Sequence, residues 1–127
     1  MNLLIDTHAF LWFITSDQKL SPRARKHMED PASELFLSIA SVWEMAIKVS
    51  LKHLPLPEPF DEFIANNLES GFHLLPIECE HASLVSTLPY HHRDPFDRMI
   101  VAQALKEEMP LVTTDLVFRA YRAKVIW

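Results

Sequence analysis

Asp6, Glu44, Asp97 and Asp115 are the residues of this chain whose types and spacing could do chemistry together, and Asp94 stands close to the third of them. Each has an ordinary explanation when taken alone. Glu44 follows Ser41 at the spacing of a capping box. Asp94 before Pro95 suits a helix N-cap, and Asp97 then falls in the first turn, where the helix dipole favours negative charge. Asp115 could cap a helix beginning near Leu116, and Asp6 the helix that follows it. Taken jointly they read differently. Asp6 and Asp115 end short apolar runs, while Glu44 and Asp97 lie in early helical turns. In a parallel α/β sheet those positions gather at one edge, where ligands bind. Converging carboxylates repel one another and raise one another's pKa unless a cation is present. Separate caps have no need to meet; a metal site does.

Carboxylate oxygens are hard ligands that suit Mg²⁺ or Mn²⁺. Magnesium takes only one or two carboxylates directly and keeps several waters, so some of the four acids are expected to act through water. An ion held this way activates water and neutralises charge developing at phosphorus, which makes phosphodiester hydrolysis the fitting reaction.

The elements that must position these acids follow from the hydrophobic pattern. Residues 2–5, 35–38, 72–75 and 111–113 read as buried strands, with 125–127 as a closing edge strand. Helices are expected over 8–14, 22–29, 40–51, 60–68, 80–87 and 95–105, with a short one ending at Tyr121. Ser21-Pro22 supplies a cap and a first-position proline, Asp30-Pro31 a stop, and Gly71 a helix end. Residues 88–93 read as a loop. Strands alternating with helices predict one domain over 1–127: an α/β fold, a three-layer α/β/α sandwich around a central, mainly parallel sheet. The helix over 40–51 is apolar nearly all round, which predicts an interior position. A glutamate there needs a partner, and Lys48 at i+4 can supply one.

Composition narrows the field. A chain of 127 residues, 49% hydrophobic and 23% charged, supports one packed domain. Its single cysteine, Cys79, forbids an internal disulfide and a multi-cysteine zinc site, and fits a reducing cytoplasm. No basic start or long apolar run suggests a secretory signal or membrane span, so a soluble cytoplasmic protein is expected. One glycine is too few for a phosphate-cradling P-loop or a dinucleotide fingerprint. The net charge of −5 has the wrong sign for binding nucleic acid by bulk electrostatics. Either the partner is something else, or the acids are concentrated in one place and serve a metal.

Four segments carry a family resemblance: Asp6-Thr7-His8 with Leu11-Trp12; Ser41-Val42-Trp43-Glu44 through Lys48; His92-Arg93-Asp94-Pro95-Phe96-Asp97-Arg98; and Thr113-Thr114-Asp115. In this order and over this length the chain resembles the PIN-domain ribonucleases, specifically the toxin halves of VapBC-type toxin–antitoxin pairs. The resemblance implies a catalytic, metal-binding quartet of Asp6, Glu44, Asp97 and Asp115 that uses Mg²⁺ or Mn²⁺. It makes Asp94 a supporting or capping acid and maps a family hydroxyl to Thr113 or Thr114. It further implies endoribonuclease activity, a cognate antitoxin that covers the site, and a homodimer. The segment Glu108-Met109-Pro110 departs from related sequences, which often carry a glycine there.

To hold RNA, an acidic chain needs grouped cations. Lys48, Arg93 and Arg98 are placed to contact phosphates at the rim, although ordinary surface or ion-pairing roles suit them equally. His91 and His92 could assist there, although exposed loop histidines usually have no specific task. His8 reads as a structural residue that orients the loop after Asp6 rather than as a general acid–base. Phe10, Trp12, Phe13 and Trp43 read as core or dimer contacts rather than stacking platforms. Two competing functions stand beside the nuclease. One is a silent RNA- or protein-binding module on the same fold, against which the complete quartet speaks. The other is a phosphatase with an aspartyl intermediate on Asp6, for which His8 occupies the place a second aspartate should take.

Overall fold

Leu3, Leu4 and Ile5 are all completely buried, which consecutive strand residues achieve only when both faces of their sheet are covered. In the computed structural model, which describes residues 1–127, these residues belong to β1 (Asn2–Ile5). The other strands are β2 (Glu34–Ser38), β3 (Phe72–Leu75), β4 (Leu111–Val112) and β5 (Val125–Ile126). They form one sheet in the order β3-β2-β1-β4-β5, and every pairing is parallel. The expected sandwich is therefore present, with a wholly parallel sheet.

Alternation along the strands builds two cores. Leu3, Ile5, Leu35 and Leu37 face α1 (Thr7–Ile14), α2 (Pro22–Glu29), α3 (Ile39–Ser50) and α4 (Phe60–Glu69), packing with Phe10, Met28, Met45 and Phe63. Leu4 and Leu111 face the other way, onto Ile100, Val101 and Ala104 of α6 (Pro95–Lys106) and Phe118 of a 3-10 segment (Leu116–Tyr121). The short helix α5 (Cys79–Val85) packs on α6. Phe10 anchors the first core, meeting Phe72 edge-on at 5.0 Å and Phe63 at 6.2 Å. Its truncation to alanine would cost about 3–5 kcal/mol.

Helix α3 departs from its expected setting in two ways. Its N-cap is Ser38, whose Oγ accepts from the Ala40 N–H, so the Ser41–Glu44 capping box does not form. Ser41 instead lies inside the first turn, completely buried. Nor is the helix interior. Trp43 is 60% exposed and Ile47 36%, and only Ala40, Ser41 and Met45 are buried. The apolar residues of α3 thus serve both cores, through Met45 and Ala40, and one open surface, where the Trp43 ring meets Phe96 edge-on at 5.1 Å. At the other departure, Glu108 takes φ 54° after the end of α6. This is the left-handed conformation that glycine adopts at no steric cost. No helix is long and apolar enough to cross a membrane.

Candidate active site

β1 and β4 are adjacent, yet the chain leaves β1 toward β2 on one side and reaches β4 on the other. A crevice opens where the strand order diverges in this way, beyond the carboxyl ends of the strands. Asp6 follows β1 directly and caps α1, with Oδ1 accepting from the Ala9 N–H at 2.8 Å. Its second oxygen, Oδ2, accepts from the Thr113 hydroxyl. Thr113 is completely buried at the end of β4, and its Oγ1 also receives the Asp115 N–H at 3.0 Å. One hydroxyl therefore ties the acids after both central strands together. Asp115 divides its oxygens in the same manner. Oδ1 caps the 3-10 segment through the Val117 N–H at 3.0 Å, and Oδ2 lies 2.6 Å from His92 Nε2.

Glu44 arrives from α3. The Thr7 hydroxyl donates to its Oε1 at 2.6 Å and lies 2.8 Å from the Ser41 hydroxyl. Its other oxygen pairs with Lys48 Nζ at 3.4 Å. Asp97 arrives from α6, whose N-cap Asp94 accepts from the Phe96 and Asp97 N–H groups at 2.8 and 3.1 Å. Asp97 Oδ2 lies 3.3 Å from the same His92 Nε2. Asp6, Glu44, Asp97 and Asp115 line one cleft of about 540 Å³ together with Asp94, Lys48 and Thr114. The capping roles and the converging roles are both real, because each capping aspartate spends one oxygen on a helix and aims the other elsewhere.

The cluster carries the electrostatic mark of crowded acids. Burial holds the Asp6 carboxyl above its ordinary range, against the opposing hydrogen bond from Thr113. Burial and then repulsion from Asp94 push Asp97 up to about 7, although His92 acts against them. Repulsion from Glu44 and Asp6 adds to the rise. Within ion-pair distance the protein brings to the quartet one ammonium, on Glu44, and one imidazole, between Asp97 and Asp115. A hard divalent cation is the partner this donor set fits.

Three expected roles are corrected. Arg98 is only 5% exposed, and its guanidinium points away from solvent. Nη1 donates to the carbonyls of Pro89 and His92, and Nη2 to those of Val85 and Leu88, at 3.0–3.4 Å. The group lies 3.9 Å over the Tyr90 ring. Arg98 holds the loop between α5 and α6 and has no face left for phosphate. His8 makes no hydrogen bond; exposed beside the cleft, it lies 5.8 Å from the Trp12 ring, and Asp6's own cap orients the turn after β1. His92, expected at most to assist in holding RNA, sits between two of the acids. Its position was available in principle, since a loop ending at the Asp94-Pro95 cap must finish beside Asp97. Arg93 is exposed and unpaired, and Thr114 is exposed at the cleft while Thr113 makes the bonds.

Known proteins share this arrangement of elements. Ribonuclease VapC22 of Mycobacterium tuberculosis is 29% identical over 121 residues, covering 94% of this chain and 92% of the relative. VapBC2 from Rickettsia felis, solved bound to a DNA fragment from its promoter, superposes with a TM-score of 0.74 at 13% identity, over 98% of this chain and 97% of the other. VapBC-1 from nontypeable Haemophilus influenzae gives 0.68 at 15%, over 98% and 96%. At such identities the structural likeness is one of fold. The PIN domain family model matches residues 3–124, from the first buried strand past the last acid of the cleft, and the chain belongs to that family.

Proposed function

We propose that this protein is a divalent-metal-dependent endoribonuclease, the toxin of a toxin–antitoxin pair, with Asp6, Glu44, Asp97 and Asp115 as its catalytic quartet. One observation carries the reading. Four carboxylates from four separate segments of the chain reach one cleft at the divergence of the central strands. Asp6, Asp97 and Asp115 would hold Mg²⁺ or Mn²⁺, with Glu44 alongside. Such an ion supplies Lewis-acid chemistry, activating water and offsetting charge at phosphorus.

The chain's own residues do the positioning. Thr113 fixes Asp6 against Asp115, and Thr7 fixes Glu44. Asp94 sets the first turn of α6 and so the height of Asp97 above the sheet. Lys48 at the cleft wall and exposed Arg93 offer positive charge to the phosphates of a bound strand. A cognate antitoxin is the proposed protein partner, by extension from the VapBC assemblies of similar fold; a second copy of the chain and a cytoplasmic setting are proposed from the family resemblance alone.

The test is incubation of the purified, antitoxin-free protein with total RNA, with Mn²⁺ or with EDTA, followed by mapping of the ends. Internal cleavage is expected with Mn²⁺ and none with the chelator. Cleavage that ignores EDTA overturns the mechanism. Stoichiometric metal binding with every RNA pool left intact would favour a silent binding module instead.

A further inference from the structure

We propose that His92 is a metal ligand of this site and makes it prefer Mn²⁺ to Mg²⁺; the inference rests on the metal-dependent reading above. Nε2 of His92 lies 2.6 Å from Asp115 Oδ2 and 3.3 Å from Asp97 Oδ2. One donor atom from each of the three residues falls within 4.8 Å of the others, as ligands to one ion must.

The imidazole is held in place from several directions. The His92 N–H donates to Tyr121 Oη at 2.7 Å, and its carbonyl accepts from the buried Arg98 guanidinium at 3.4 Å. Its ring stacks on Phe118 at 5.2 Å and 28° between planes, and Phe118 is itself completely buried. The side chain is only 17% exposed. An ordinary surface His–Asp pair has none of this support and contributes little to stability. A ring so fixed presents its nitrogen to the carboxylates with most of its ordering cost already met by folding.

The chemical consequence is selectivity. Mg²⁺ favours an all-oxygen set and gives up its waters reluctantly, whereas imidazole nitrogen is a good ligand for the transition metals. Oxygen from Asp97 and Asp115 with nitrogen from His92 therefore tilts the site toward Mn²⁺. On the quartet alone, the two ions would be much closer competitors.

The full-length protein loaded with Mn²⁺ alone provides the test, by pulsed electron paramagnetic resonance and by titration. Wild type is expected to show a nitrogen hyperfine coupling that changes on isotopic nitrogen labelling of histidine, persists in His8→Ala, and disappears in His92→Gln. Mn²⁺ affinity of His92→Gln should fall by about tenfold or more, and Mg²⁺ affinity much less. The wild-type spectrum needs no variant, so a poorly folding substitution cannot obscure the answer. Bound Mn²⁺ without histidine nitrogen coupling overturns the proposal, and so does an equal loss of both metals in His92→Gln. If the wild type binds no Mn²⁺, or Asp97→Asn binds it equally well, the metal-dependent reading itself fails and this inference with it.

Discussion

On one side of the cleft, Asp6 and Glu44 are held by hydroxyls, from Thr113 and Thr7. On the other, Asp97 and Asp115 share the imidazole of His92. The first side is the more enclosed: Asp6 is 6% exposed and the Glu44 side chain 13%, against 29% and 36% for the Asp97 and Asp115 side chains. Hydroxyls orient a carboxylate while leaving its charge intact, and the one ion pair on that side is Glu44 with Lys48. Histidine is both a donor and a base, so the open side can trade a hydrogen bond for a cation. On the proposed reading, the closed side fixes geometry and lends Asp6 to the ion, while the open side supplies the other ligands.

The largest effect should come from the open side's charge. Asp97→Asn should abolish RNA cleavage while circular dichroism shows the fold intact. Retained activity would mean that Asp97 serves only the dipole of its helix, and the division of labour would collapse.

Next in size is the closed side. Thr113→Val keeps the shape but removes the hydroxyl serving Asp6 and the Asp115 N–H, leaving buried polar groups unpaired at about 1–3 kcal/mol each. Chemical denaturation should register that loss, and cleavage should fall by about tenfold to a hundredfold through misaimed ligands. Thr7→Val, which frees only Glu44, should cost less on both counts. The reverse ranking would place the geometric keystone on α3 rather than between the central strands.

A third prediction concerns pH. Asp97 titrates near 3.8 in its unperturbed state and about 7 in the fold. Between those values the folded chain keeps a proton that the unfolded chain has released, so this group's contribution to stability falls as pH rises through the window. The metal-free wild type should therefore lose more thermal stability than Asp97→Asn between pH 5 and 7.5, as flagged by a gap of a few degrees, roughly the shift one kcal/mol produces. Saturating Mn²⁺ should restore the wild type, and metal binding should weaken below about pH 7. Parallel melting curves for the two proteins would remove the claim that Asp97 is crowded.

The smallest effect belongs to the rim. Lys48→Ala breaks an ion pair with a 36% exposed lysine and should change stability by about 0–1 kcal/mol. Its expected signature is a raised KM for RNA with little change in kcat. A large fall in kcat would move Lys48 from the rim into the reaction.

Much of this was legible in the chain because it depends on local chemistry. Ser21-Pro22 and Asp94-Pro95 start helices by capping, and both do so here. Short apolar runs bounded by polar residues became the parallel strands. Long-range partnerships were the failures. Nothing near Ser41 reveals that its hydroxyl will meet Thr7, whereas Ser38 one turn earlier takes the cap. Arg98 reads as a rim cation because it flanks Asp97, but its guanidinium is consumed by carbonyls six to thirteen residues back. His92 lies in a segment rightly read as a loop, yet its partner Asp115 is 23 residues further on. Hydrophobic periodicity says where a backbone goes; it carries no information on which polar side chains meet across it.

The bond from Thr113 to Asp6 spans 107 residues. A ribosome making this protein therefore adds more than a hundred residues after Asp6 before that bond has both its partners. Fragments that end before Thr113 should be inert toward RNA, because nothing yet holds Asp6 in its place at the cleft.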